Sequence, residues 1–391
     1  MEKQFNFIRI IHPIGQGAFY SEQIEYNDSN YNVVFDCGSW RNPNPTKNLK
    51  SEVSSRFNKG DEIEILFISH FDNDHVNGVQ TLIKHGIKIK NIVIPLVEEK
   101  DFWFFSQEYG MEYNRFKDIY DSLCASADKV YKVKPQNIEN NNNDNRKIIN
   151  FSENEKDESE EIIDSNTLFF INRNIDWCYV VFNYNMDTRR MDFLENLKDE
   201  GLTEDVFCHG FAKISSHIKQ IKKAYKKLNK NDGLNLSSII VYSGGYHNKY
   251  SCIIDCNCSR FCYRLYCELC RYHLCHIEGC IYSGDTDLNQ HRLIDDLKCK
   301  LKNLSTHVGL IQIPHHGSKK NFNKDIFTIN DDIIYCFVSY GSKNDYGHPS
   351  ISMLSQLRLH GKIVFEVTEN RCSYLSQRLE AIRHRSLLDL K

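Results

Sequence analysis

Four side chains able to bind a metal, His70, Asp72, Asp74 and His75, fall within six residues of the segment ISHFDNDHVNG. They follow IEILFISH, an apolar run that reads as a buried strand ending at His70. Alternation at positions 70 and 72 directs two side chains to one side. A helix start then presents Asp74 and His75 from a turn. Imidazole and carboxylate ligands suit zinc, iron or manganese, so the spacing selects no single metal. The competing reading is a polar helix start, with Asp72 or Asp74 as N-cap and the histidines in water. That reading explains one Asp but not all four groups, because crowded buried carboxylates are costly without a cation.

Other polar residues sit at the ends of apolar runs. Asp36 closes VVFD, where it either hydrogen-bonds the first cluster's loop or simply makes an Asp-Cys-Gly turn. IPHHGS places His315 and His316 after an apolar run. On extended backbone adjacent side chains point to opposite faces, so one is read as completing a metal site, with His315 favoured, and the other as orienting substrate or a ligand. Gly317 and Ser318 form a compact turn beside them. His348, in YGHPS, is a candidate to donate a proton or bind a phosphoryl oxygen, with a structural loop role as the alternative. Asn235 is a weaker candidate to position substrate, and His209 reads as a partly exposed histidine.

In chain order these motifs resemble the metallo-β-lactamase-fold hydrolases, whose mark is His-x-His-x-Asp-His after a strand. Asp72 at the second ligand position resembles the branch containing the hydrolase domain of the bacterial DNA-uptake competence channel protein. IGQG, VVFDCGS, SGDTD, IPHHGSK and SYGSKNDYGHPS extend the likeness over residues from about 8 to 370. The branch often has an acidic residue after GQG, where this chain has Ala18. The resemblance implies an α/β chain folded as a four-layer αββα sandwich, with residues 1–391 as one hydrolase domain carrying insertions. It implies metal ligation by His70, Asp72, Asp74, His75, Asp285, His315 and His316, with Asp285 bridging or ligating, and catalytic roles for Asp74, His348 and Asn235. One or two divalent ions, zinc or manganese, would activate water for phosphodiester or nucleic-acid hydrolysis. The same scaffold also suits amide, ester or thioester hydrolysis, or a zinc-stabilised binding protein without activity.

Eight of the fifteen cysteines crowd between Cys252 and Cys280. Cys252, Cys256, Cys258, Cys262, Cys267, Cys270, Cys275 and Cys280, with His273 and His276, are candidate ligands of a separate structural zinc. Cys267 and Cys270 have the spacing of a zinc corner, although the full order matches no familiar finger. The insertion 252–280 is also a candidate protein-partner surface. Arg260, Arg264 and Arg271 among Phe261, Tyr263 and Tyr266 would suit nucleic acid.

The elements that must position these groups are strands at FIRIIHPI, EQIEYN, YNVVFDCG, KNIVIP, TLFFINR, WCYVVFNY, SSIIVYSGG and GCIYSGD. Residues 101–134 read as mostly helical, 211–229 as one long helix with a solvated lysine face, and 350–360 as a helix. The Asn-rich stretch 137–156 reads as a flexible insertion. Composition is globular, with 41% hydrophobic residues, 26% charged residues and a formal net charge of -3. That balance argues against a basic nucleic-acid-coating tail, and a metal would supply its own positive charge to an anionic substrate. No export signal and no membrane-length apolar run is visible, so the sequence is read as cytoplasmic.

Overall fold

The computed structural model describes residues 2–40, 45–138, 146–153, 158–184, 188–208, 210–228, 238–256, 274–275 and 277–383. Its first half contributes strands β1 (Glu2–Ile11), β2 (Phe19–Tyr26), β3 (Ser29–Cys37), β4 (Glu62–Phe67), β5 (Lys88–Pro95) and β6 (Ala127–Val133). The short strands β7 (Ile148–Asn150), β8 (Glu160–Ile163) and β9 (Leu168–Phe170) lead to β10 (Cys178–Asn183) and β11 (Ile239–Gly244). The remainder is β12 (Cys252–Cys256), β13 (Leu274–Cys275), β14 (Gly279–Tyr282), β15 (Val308–Gln312), β16 (Tyr335–Ser339), β17 (Ile363–Val367) and β18 (Leu375–Arg383).

These strands form two mixed sheets. One has the order β13-β12-β18-β1-β2-β3-β4-β5-β6-β8, the other β17-β16-β15-β14-β11-β10-β9-β7. Strand alternation explains how each sheet is covered on both faces. In β3, Val33 and Phe35 point into the layer between the sheets while Val34 points to helices outside. In β10, Tyr179 and Val181 point inward, and Cys178, Val180 and Phe182 face the opposite outer layer. Helices Lys47–Arg56, Val79–Lys84, Phe102–Glu108 and Tyr113–Cys124 cover the first sheet; Leu293–Leu301 and Ile351–Leu359 cover the second. The result is an α/β sandwich with helices on each outside face.

A buried charged network joins the two sheets. The Arg9 guanidinium donates to Glu22 at 2.7 Å, to the Glu278 carbonyl at 2.9 Å and to the Ser243 carbonyl at 3.2 Å. Ser243 and Tyr282, from the second sheet, donate hydroxyl hydrogen bonds to the same Glu22 carboxylate, each at 2.9 Å to Oε1.

Three local expectations need correction. Residues 127–133 are strand β6 between β5 and β8, because Val130, Tyr131 and Val133 are buried in a sheet that helical spacing does not describe. The expected loop at 137–156 contains β7, whose Ile149 is buried where the strand pairs with β9; residues 139–145 and 154–156 lie outside the described residues. The expected single helix at 211–229 is two, Gly210–Ser216 and Ile218–Lys226, separated at His217, whose φ of -111° and ψ of 10° are not helical. Its lysine face is solvated as expected: Lys223 and Lys227 pair with Glu200 at 2.8 and 2.9 Å while Ile221 and Ala224 turn inward.

Candidate metal centre

The first cluster is set at the end of β4. Ile68 continues the ladder by donating to the Val93 carbonyl at 2.9 Å, and Ser69 then turns the chain toward Asp36. Asp36 accepts from the Ser69 N–H and Ser69 hydroxyl, both at 2.7 Å, and from His75 Nδ1 at 2.8 Å. It therefore holds two points of the loop, as the hydrogen-bonding reading of Asp36 requires. Asp72 occupies the N-cap of the short helix Asn73–Val76 but makes no side-chain capping bond. Its carboxylate instead lies 3.5 Å from His70 Nε2. Gly38 allows the loop to sit this close: a Cβ there would lie 2.4 Å from the backbone of Asp74 and His75.

The second half arrives from the other sheet. Gly284 turns at φ +51°, and a Cβ on it would lie 2.2 Å from Ser238 Oγ. Gln312 Oε1 accepts from the N–H groups of Ser283 and Gly284, and Asp285 N–H donates to Ser238 Oγ at 3.1 Å. Asp285 is thereby fixed against the first cluster. Its Oδ2 lies 3.6 Å from His70 Nε2 and 3.9 Å from His315 Nε2, and its Oδ1 lies 3.4 Å from His75 Nε2. His316 Nε2 lies 3.2 Å from Asp74 Oδ2. Two groups of three follow, His70, His75 and Asp285, and Asp74, His75 and His316, each with ligand atoms within 4.8 Å of one another.

His315 and His316 do not alternate across an extended strand. Both have left-handed backbone, φ 47° and 52°, in a turn tied to the Asp285 loop by the His315 N–H donating to the Gly284 carbonyl at 3.2 Å. This replaces the expectation of opposite faces: both rings turn toward the cluster, with His316 buried and His315 at its more open side. Such conformations are costly for non-glycine residues and concentrate at functional sites.

Hydrogen bonds assign a common tautomer to three of the histidines. Ser69 gives its single hydroxyl proton to Asp36, so its 2.9 Å contact with His70 is a bond donated by Nδ1–H. His75 Nδ1 donates to Asp36, and His316 Nδ1 donates to the Ser339 carbonyl at 2.9 Å. Every Nε2 lone pair is left facing the cluster, the arrangement a metal-ligating histidine needs. The buried Nε2 atoms of His70 and His75 have no hydrogen-bond partner among the described residues. Acceptor atoms 3.2 to 3.6 Å apart repel one another unless a proton or cation lies between them. Ligands about 2.1 Å from a tetrahedral ion stand about 3.4 Å apart, so these separations fit a divalent metal.

Electrostatics follow the same geometry. Burial opposes charge on His75, but the Asp285 and Asp36 carboxylates outweigh it and raise its pKa well above the ordinary value. His316 is raised against the same burial by Asp74 and Asp285. Burial would raise Asp285, yet His315, His75 and His70 hold it well below the usual carboxylate range.

The remaining predicted residues are placed unevenly. His348 stands at the rim, its ring 5.5 Å from that of His315. Burial and the neighbouring His315 and His316 lower its pKa. Asn235 and His209 lie outside the described residues, as do Cys258, Cys262, Cys267, Cys270, His273 and His276 and the side chains of Cys256 and Cys275. Arg260, Arg264, Arg271, Phe261, Tyr263 and Tyr266 lie outside them too. Cys252 and Cys280 pack in the apolar layer between the sheets. Burial pushes the Cys280 thiol up to about 12. Ser238, Gln312 and the Ser339 carbonyl are supporting groups that sequence spacing did not single out; each acts on a residue distant in the chain.

A cleft of about 590 Å³ lies behind the first loop, lined by Lys50, Asn73, Asn77, Lys84 and Arg115 among others. It shares Asn73, Val76 and Asn77 with that segment but neither His70, Asp72, Asp74 nor His75. The chain matches no protein-family model and no curated protein.

Proposed function

We propose that the chain is a metal-dependent hydrolase of the metallo-β-lactamase-like class, acting on phosphodiesters. The observation that carries this reading is the bifacial position of Asp285, with Oδ2 facing His70 and His315 and Oδ1 facing His75. One carboxylate between two sets of nitrogen and oxygen donors would suit one or two divalent ions, zinc or manganese, held by His70, His75, Asp74, His316 and Asp285. Ions held there would supply Lewis acidity toward a phosphoryl oxygen and acidify a water to a pKa near neutrality.

The protein's own groups complete the chemistry. Asp36, Ser69 and the Ser339 carbonyl fix the rings of His75, His70 and His316, so no reorientation is needed as charge develops. His348 has a lowered pKa and is neutral at pH 7, able to accept or pass on a proton at the open rim. Asp72 makes the ligand set more anionic than a histidine would, which favours a harder ion such as manganese.

The test is metal content together with manganese- and zinc-dependent cleavage of a generic phosphodiester, single-stranded DNA and RNA. Asp285→Asn is expected to lose bound metal and more than about 100-fold in rate while keeping its circular dichroism spectrum, since even supporting residues of metal sites are worth 10- to 100-fold. Unchanged rates and metal content in Asp285→Asn would remove the proposal.

A further inference from the structure

Two large aromatic rings stand open to solvent beside the metal centre. Trp40 is 48% and Tyr346 54% exposed, whereas the chain's other two tryptophans, Trp103 and Trp177, are buried. Trp40 lies just past β3 and Tyr346 in the loop after β16, yet their rings meet edge to face at 5.3 Å and 87°. Hydrogen bonds hold both loops. The Trp40 N–H donates to the Gln16 carbonyl at 2.7 Å, and the Gly341 N–H donates to the Gln16 side chain at 3.3 Å. The Asn344 side chain accepts from the N–H groups of Tyr346 and His348, at 3.2 and 3.3 Å, and donates to the Gly341 carbonyl. The two loops are thus held by polar bonds while both rings stay exposed.

From Tyr346 a row of rings leads inward. Tyr346 and His348 are nearly parallel, 16° apart with centroids at 6.4 Å. His348 meets His315 at 5.5 Å, and His315 reaches Asp285 at 3.9 Å. Lys320 is exposed, and its charge reaches His348. An aromatic surface joined by a row of rings to a centre that would attract anions once metal is bound matches two parts of a nucleotide, a flat base and a phosphate.

We propose that Trp40 and Tyr346 form a stacking platform for a nucleobase next to the phosphodiester at the Asp285 centre, making the substrate a single-stranded or frayed nucleic acid. The proposal rests on the hydrolase reading for where the phosphate lies, whereas base binding is measurable without turnover. A duplex keeps its bases stacked on one another, so the platform selects strands whose bases are free.

The experiment compares a labelled oligodeoxyadenylate with an abasic oligomer of the same length, by fluorescence anisotropy in the Asp285→Asn background and by cleavage in the otherwise unchanged protein. Adenylate is expected to bind more tightly than the abasic strand. Trp40→Ala and Tyr346→Ala are each expected to cut that preference about 10-fold, with Tyr346→Phe restoring it, because stacking needs the ring and not the hydroxyl. Equal affinity for the two strands, or equal loss on both in the alanine variants, overturns the platform. Base-dependent binding with no cleavage would keep the platform and sink the hydrolase reading; cleavage indifferent to the bases would do the reverse.

Discussion

At the scale of single residues, the cluster needs positive charge, and protons or metal ions can each provide it. The raised pKa values of His75 and His316 mean that, without metal, their protonation stabilises the fold fully below the ordinary histidine pKa of about 6.5. That stability is lost as pH rises through their folded pKa values. Asp285, held low, contributes in the other direction: its stabilisation is present above the ordinary carboxylate range and is lost as pH falls through its folded pKa. Chelator-treated protein should therefore lose thermal stability as pH rises above the ordinary histidine pKa of about 6.5, while manganese-loaded protein should not, because the ion replaces the protons. Melting curves of the two forms that run parallel over this range would contradict the assignment. Much of this cluster was legible from HFDNDH, because four residues able to bind a metal within six positions report a local constraint. The shared orientation of His315 and His316 was not, although the resemblance implied both as ligands. Alternation assumes extended backbone, and two successive left-handed residues break that assumption. Trp40 and Tyr346 escaped notice because periodicity reports buried faces, not rings held on loops.

At the scale of elements, strand ends do the positioning and close backbone approach sets the tolerance. The Asn73–Val76 helix is too short to be stable alone. It is held because the Ala18 N–H donates to the Asp74 carbonyl at 3.0 Å and the Gly78 N–H donates to the Cys37 carbonyl at 2.8 Å. Ala18 thus serves the loop through its backbone, where the resembling branch often carries an acid. Gly38→Ala would drive a methyl group into the Asp74–His75 peptide. It should destabilise the protein by about 1 to 3 kcal/mol and lower metal content, as read by denaturant midpoint and bound-metal analysis. A variant with wild-type midpoint and full metal would show that the loop yields easily. Most strands at apolar runs were readable because both faces of each sheet are covered, which leaves continuous hydrophobic segments. Strands β6 and β7 were not: β6 follows a helical stretch and is paired on both sides by β5 and β8, and β7 is a three-residue edge pairing with β9, so neighbours distant in sequence decide them.

At the scale of the molecule, the Arg9–Glu22 network fixes how the sheets meet, since its donors and acceptors come from both. Arg9→Met leaves a buried carboxylate without its cation and should cost about 3 to 5 kcal/mol in urea unfolding. Adding Glu22→Leu should recover much of that loss, because two apolar side chains avoid the desolvation penalty. A single substitution costing less than about 1 kcal/mol would mean water reaches Glu22. The pair was invisible in sequence: Arg9 and Glu22 look like ordinary outward-facing residues of alternating strands until the second sheet closes over them. The α/β class, by contrast, followed from the order of apolar runs and helical spacing, and the two-sheet sandwich from the resemblance.

The position of Asp285 between the histidines also bears on time. About 200 residues of chain separate His75 from Asp285, so the full cluster exists only after both sheets have docked. An interaction made that late is absent from the folding transition state and acts on the reverse barrier. Bound metal should accordingly leave the refolding rate nearly unchanged and slow unfolding, lengthening the lifetime of the native state under proteolysis. The ion would serve as a latch that closes on a finished sandwich, and chelation would open the latch without removing the template that built it.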